Sequence, residues 1–314
     1  QGVRPSFDNP MSWSLPLGAF SGILVRVHVL FLLFVVIELV KAFAAPAQGS
    51  GGFSLGWAVA LCVSFFVVVL LHEFGHCLAC RLRGGQADEI LMWPLGGLAF
   101  CRPREHWSDH FVTAVGGPMV NVVLLAVICP LLGIATGIWW GVAIPNPLDL
   151  YGGIVRTSGN PLYGILFVLN WVSLVLLLFN LLPLFPLDGG RMVQTLLWAK
   201  MGYARSMRVA VRVGYVGAIA LGVFGVVTTN VILILIAVFG GMTCHTTLKQ
   251  LQYTEALMGF EGESWQSYGD EDEDEAREAR ESWKERRQRR HAEREAVRAQ
   301  EEEVEVDRIL DKIQ

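Results

Sequence analysis

Val69-Leu70-Leu71-His72-Glu73-Phe74-Gly75-His76 closes a long apolar stretch that opens near residue 53. An apolar run of about 18 or more residues can cross the hydrocarbon core as a helix, so this stretch reads as a membrane span that ends in polar chemistry. On a helix, His72 and His76 stand at i and i+4 and share one face. Both imidazoles can therefore bind one zinc ion, and Glu73 between them can reach a water on that metal. Three ionisable side chains inside an apolar span are costly unless they have a task, which makes them functional candidates.

The rest of the chain supplies company for that span. Six segments have the length and composition to cross a bilayer: 21–43, 53–79, 109–136, 161–185, 205–227 and 229–248. A soluble fold of about 260 residues could hardly bury six such helices. The overall composition, 53% hydrophobic and 17% charged, averages two unlike parts. Residues 1–260 hold 10 acidic and 14 basic side chains, whereas residues 261–314 hold 19 and 11. The expected organisation is a short N-terminal cytoplasmic segment over 1–20, a six-span membrane domain over 21–250 and a charged cytoplasmic tail over 251–314. The expected fold class is an all-α polytopic membrane protein.

Basic residues in short loops mark the cytoplasmic side. Arg81, Arg83, Arg102 and Arg104 lie between the second and third spans, and Arg191, Lys200, Arg205, Arg208 and Arg212 lie between the fourth and fifth. The opposite loops carry only Arg156, with Lys41 at an edge. Both termini are thus expected to be cytoplasmic in a multi-pass protein of the cell membrane. Residues 1–20 lack the basic region, apolar core and cleavage site of a secretory signal, so the first span is expected to act as its own insertion signal.

The tail opens with Asp270-Glu271-Asp272-Glu273-Asp274-Glu275, a block that self-repels and stays solvated, and continues through mixed charge that suits a helix with i,i+4 pairs. Its apolar end, Val304, Val306, Ile309, Leu310 and Ile313, could dock on a partner or another copy, although an inert solvated tail is the plainer account. Arg286-Arg287-Gln288-Arg289-Arg290 is flanked by acids, so no nucleic-acid partner is expected. The six cysteines lie mainly within or beside spans and form no extracellular framework. Cys77 and Cys80 have the spacing of a redox or zinc pair, but they continue the helix and no second pair exists, which favours packing.

At about 1.5 Å per residue, His76 and His72 lie about 8–14 Å inside the boundary marked by Arg81. A catalytic zinc needs a third protein ligand and an open position. That ligand must come from the same side and depth, which excludes Asp149 and disfavours Glu38. Asp188, at the cytoplasmic end of the fourth span, fits; His106, Asp109 and His110 at the start of the third also lie on the correct side.

Three motifs in this order carry a resemblance: His72-Glu73-Phe74-Gly75-His76, then Gly116-Gly117-Pro118-Met119-Val120-Asn121, then Asn180-Leu181-Leu182-Pro183-Leu184-Phe185-Pro186-Leu187-Asp188-Gly189-Gly190. The chain resembles the site-2 protease family of intramembrane zinc metalloproteases over roughly 20–200. The resemblance implies Asp188 as third zinc ligand, Glu73 as catalytic base, and Asn121 and Asn180 as groups that position substrate backbone or stabilise the oxyanion. Two bland alternatives stand beside it. Asn121 and the glycines could serve helix packing, and Asn180 could satisfy backbone groups freed by the prolines.

Residues 88–102 are too short to span and are broken by Pro94 and Gly96-Gly97, which suggests a membrane-associated β-hairpin beside the metal, a feature the family shares. The implied activity is regulated intramembrane proteolysis of single-span membrane proteins, including membrane-tethered regulators of transcription. A transporter passing protons or metal ions would predict inverted repeats of spans, and none is visible.

Overall fold

The computed structural model describes residues 13–44, 55–94 and 96–266. The expected helical or disordered tail beyond 266 and most of the N-terminal segment lie outside the described residues. Two units are distinguished, residues 1–248 and residues 249–314.

The first unit opens on strands. β1 (Ser14–Phe20) and β2 (Ile23–His28) form an antiparallel hairpin whose turn, Ser21-Gly22, has φ of 52° and 73°. Such a two-residue turn needs positive φ at both positions, which glycine supplies at no steric cost. α1 (Val29–Ala44) follows directly, and then α2 (Leu55–Leu82). A second antiparallel hairpin, β3 (Gln86–Trp93) and β4 (Gly96–Arg102), joins the first through a parallel β2–β3 pairing, which gives one four-stranded sheet in the order β1-β2-β3-β4. The remaining elements are α3 (Trp107–Thr136), α4 (Leu150–Thr157), α5 (Pro161–Asn180), α6 (Asp188–Met201), α7 (Tyr203–Val227) and α8 (Val231–Gln266).

The fold is therefore mostly helical rather than all-α. The hairpin expected over 88–102 is present, but as half of a sheet. The span expected over 21–43 is divided, and its helical part starts only at Val29. The cause is a period-two pattern: Ile23, Val25 and Val27 are buried while Leu24 and Arg26 face the other way. That alternation suits a strand with one covered face, and Arg26 reaches Glu89 of β3 at 3.6 Å.

Four helices, α2, α3, α5 and α7, are long and apolar enough to cross a membrane. Their exposed residues are themselves apolar and fall at helical spacing, for example Val59, Val63, Val67 and Leu71 on α2, and Val127, Leu131 and Ile134 on α3. Such stripes suit a lipid surround, where outward apolar side chains cost nothing.

α2 lies between two apolar clusters. Val69, Cys77 and Cys80 pack with Val25, Val27, Ile90 and Met92 of the sheet. Val68, one residue earlier, packs with Ile128, Leu132, Phe167 and Val168 of α3 and α5. Arg81 fastens the sheet to the end of α2: its guanidinium donates to the carbonyls of Ser21 (2.6 Å), Gly22 (3.0 Å) and Ala87 (3.0 Å from Nε). On the other face α2 and α3 touch backbone to backbone. A Cβ at Gly75 would collide with the Gly116 carbonyl oxygen, and one at Gly116 with that of Gly75. Small residues permit this approach, which is how helices associate where no hydrophobic force acts between them.

Candidate metal centre

The close α2–α3 crossing puts His72 and His76 beneath α3. Asp188 arrives from a different direction. After α5 ends at Asn180, residues 181–187 make short turns, with a cis peptide before Pro186, and Leu187 is the extended residue just before α6. Asp188 is the first residue of that helix, where the positive end of the helix dipole favours a carboxylate. Gly189 and Gly190 allow the turn to fold back on α6: a Cβ on Gly189 would lie 2.5 Å from the carbonyl oxygens of Leu181 and Leu182, and one on Gly190 would lie 2.6 Å from that of Leu184.

The result is a tight triangle of ligand atoms. His72 Nε2 lies 3.0 Å from Asp188 Oδ2, His76 Nε2 lies 3.2 Å from the same oxygen, and the two Nε2 atoms are 3.1 Å apart. All three residues are buried, with exposures of 2% to 8%.

A zinc ion fits this set on three counts. Two histidines and a carboxylate are an established donor set for a catalytic zinc that keeps an open position. With metal–ligand bonds of ~2.0–2.1 Å, two ligands of a tetrahedral ion stand roughly 3.3 Å apart, close to the three separations seen. Space for the ion is left by Gly117, since a Cβ there would fall against His76 Nε2 and 2.6 Å from His72 Nε2. The tautomer of His76 also suits a metal at Nε2. Its Nδ1 sits 2.7 Å from the Thr113 carbonyl oxygen, which can only accept, so Nδ1 carries the proton. The Gly117 N–H also lies near Nδ1, at 3.3 Å, but the shorter contact decides.

Glu73, 7% exposed, stays outside the triangle. Its Oε2 accepts a hydrogen bond from the Ala99 main-chain N–H at 3.0 Å, and Gly97 leaves room for it, since a Cβ there would stand 2.7 Å from Glu73 Cδ. Asn121 is fully buried with its amide nitrogen 3.1 Å from His72 Nδ1. Asn180, half-buried at the end of α5, is not joined to the three ligand atoms among the described residues.

The other candidate ligands go elsewhere. His106 caps α3 by accepting from the Ser108 N–H, Asp109 is bound by Arg83 (2.6 Å) and Arg104 (3.1 Å), and His110 packs edge-on against Trp198. Cys77 and Cys80 are fully buried in the sheet-side cluster. Three contributions were invisible in the sequence: the Ala99 N–H, the Thr113 carbonyl and the gap at Gly117. The first two are main-chain groups that any residue would offer. The third had a signal in Gly116-Gly117, whose two glycines turn out to have different tasks.

A family model for peptidase family M50 matches residues 60–224, from the second turn of α2 to the last turn of α7. The chain belongs to peptidase family M50. The match contains both histidines, Glu73, Asn121 and Asp188. Among curated relatives of this M50 member, a zinc metalloprotease of Methanocaldococcus jannaschii is 30% identical over 231 residues, covering 73% of this chain and 59% of the relative. A putative zinc metalloprotease of Synechocystis is 30% identical over 271 residues, covering 82% and 61%. A putative zinc metalloprotease of Mycobacterium tuberculosis is 29% identical over 218 residues, covering 68% and 51%. The chain thus spans between half and about three fifths of the length of these relatives. Among solved structures, the site-2 protease from M. jannaschii matches with a TM-score of 0.53 and 26% identity, covering 75% of this chain and 95% of that one. Family membership together with four membrane-length helices makes this M50 chain a multi-pass membrane protein.

Proposed function

We propose that the protein is an intramembrane zinc metalloprotease that hydrolyses peptide bonds within or next to transmembrane segments. The observation that carries this reading is the buried triangle of His72 Nε2, His76 Nε2 and Asp188 Oδ2, with sides of 3.0 to 3.2 Å, beside a carboxylate that is not one of its corners. The names of the relatives agree in zinc and in proteolysis.

His72, His76 and Asp188 would hold the zinc ion. When bound, zinc polarises the peptide carbonyl and makes a water acidic enough to attack near neutral pH. Glu73 takes the proton of the attacking water and passes it to the leaving amine, and the Ala99 N–H keeps its carboxylate aimed. β4 is an edge strand of its sheet, and apart from the Ala99 N–H that Glu73 takes, its outer edge is where an extended peptide would pair. Asn180 positions substrate at the end of α5.

A helix in lipid hides its carbonyls in internal hydrogen bonds, so a substrate must unwind locally before it can be cut. The substrates are therefore single-span membrane proteins, with membrane-tethered regulators of transcription as the class the family resemblance favours. In this reading α1 and the apolar first part of α8 join the four long helices to give six spans, with both termini cytoplasmic. The test compares membranes containing the parent with membranes containing Glu73→Gln. Single-span proteins should accumulate, uncut, only with the variant. Identical membrane proteomes, or accumulation of folded soluble proteins instead, would overturn the proposal.

A further inference from the structure

The two histidines need the same thing and receive it differently. A metal at Nε2 requires the proton on Nδ1, and ligating histidines nearly always donate that N–H to a carboxylate or carbonyl that fixes ring and tautomer. His76 gives it to the Thr113 carbonyl at 2.7 Å. His72, one turn earlier on α2, has the Asn121 side-chain amide at 3.1 Å from its Nδ1. Thr113, Gly117 and Asn121 stand at i, i+4 and i+8 on α3, so one stripe of that helix serves both imidazoles and leaves the gap for the metal between them.

The Asn121 amide nitrogen faces His72, yet nitrogen and oxygen of a side-chain amide have nearly the same shape, and their order follows from the hydrogen bonds they make. In that order the buried Oδ1 has no partner, and His72 Nδ1 must accept, which places the proton on Nε2 where the metal belongs. The reverse order resolves the conflict at the metal. Oδ1 then accepts from Nδ1–H, and Nε2 keeps its lone pair. The amide nitrogen becomes the group without a protein partner, a donor left over beside the site. The Ser173 hydroxyl donates to the Asn121 main-chain oxygen at 3.3 Å, which ties this turn of α3 to α5.

We propose that Asn121 is a positioning residue for His72: its side-chain oxygen accepts the Nδ1 proton and thereby fixes the tautomer and ring orientation that bind zinc. This differs from the substrate or oxyanion role implied by the family resemblance, and it rests on the metal-centre reading above. It makes a sharp prediction about substitutions. Aspartate can accept that proton and cannot donate in return, so it should preserve the function; leucine has a similar volume and cannot accept.

The experiment measures zinc affinity of the purified full chain by competition with a chromogenic chelator, and the visible spectrum after cobalt(II) substitution, for the parent, Asn121→Asp and Asn121→Leu. The leucine variant should bind zinc about 10–100-fold more weakly, the usual effect of losing such a partner, and show an altered cobalt spectrum. The aspartate variant should match the parent or bind more tightly. Should the leucine variant fail to fold, Asn121→Ala carries the same comparison. The proposal is overturned if the apolar variant keeps parental affinity, or if aspartate weakens binding as much as leucine does. Parental affinity in every variant, with cleavage lost, would give the amide to substrate instead. A parent that binds no zinc would sink the metal-centre reading itself, an outcome distinct from all of these.

Discussion

The main-chain N–H of Ala99 donates to the Glu73 carboxylate at 3.0 Å, so the edge strand of a small sheet holds the side chain that stands beside the first imidazole. The sheet, which the apolar composition did not announce, is what gives this carboxylate a fixed address. Gly97 completes the arrangement by leaving room for Glu73. Gly97→Ala should therefore displace the carboxylate and lower cleavage by roughly 100-fold, the usual scale for a misplacement of about 1 Å. Zinc content should stay unchanged, which elemental analysis of the purified variant checks.

Gly117→Ala should act on the other half of the site. The new methyl would occupy the space between His72 and His76, so this variant should lose zinc along with activity while Gly97→Ala keeps it. Equal zinc content in the two would contradict the placement of the metal under Gly117.

Gly116→Val should behave differently again, because its Cβ would meet the backbone of Gly75 rather than the ligands. Forcing the α2–α3 crossing apart should cost about 1–3 kcal/mol or more, as overpacking does, and thermal unfolding in detergent should shift down by several degrees.

Asp109 was a candidate ligand by its side of the membrane, and the structure gives it to Arg83 and Arg104 instead. The Asp109 side chain is buried, 4% exposed, while both arginines reach solvent at 43% and 62%, so Asp109→Asn leaves no arginine stranded away from water and should act on stability alone. Thermal unfolding should fall slightly, with zinc content equal to that of the parent. A loss of zinc would return Asp109 to the list of ligands.

His72, Glu73 and His76 were legible because a helix fixes the relation between i and i+4, and because charge inside an apolar run demands an explanation. Asp188 was not legible in that way. It is more than a hundred residues from the histidines, and topology alone left it beside His106, Asp109 and His110 until the Asn180 to Gly190 pattern singled it out through resemblance. The hairpin over β3 and β4 could be read from Pro94 and the glycines that break an apolar run too short to span. β1 and β2 could not, since Ile23 to His28 runs directly into the apolar α1 and its alternation covers only six residues. Its partner strand, β3, lies more than sixty residues away and is paired in parallel, a relation that no local pattern encodes.

The account stands most directly on one comparison: zinc per chain and cleavage of a single-span membrane segment, measured together on purified parent and Glu73→Gln. In the proposed mechanism Glu73 serves as base and not as ligand, so the variant should hold about one zinc ion per chain, as the parent should, while its cleavage rate falls by roughly 10²–10⁴-fold, the share of a general base. Cleavage at the parental rate, or a parent without zinc, would contradict it.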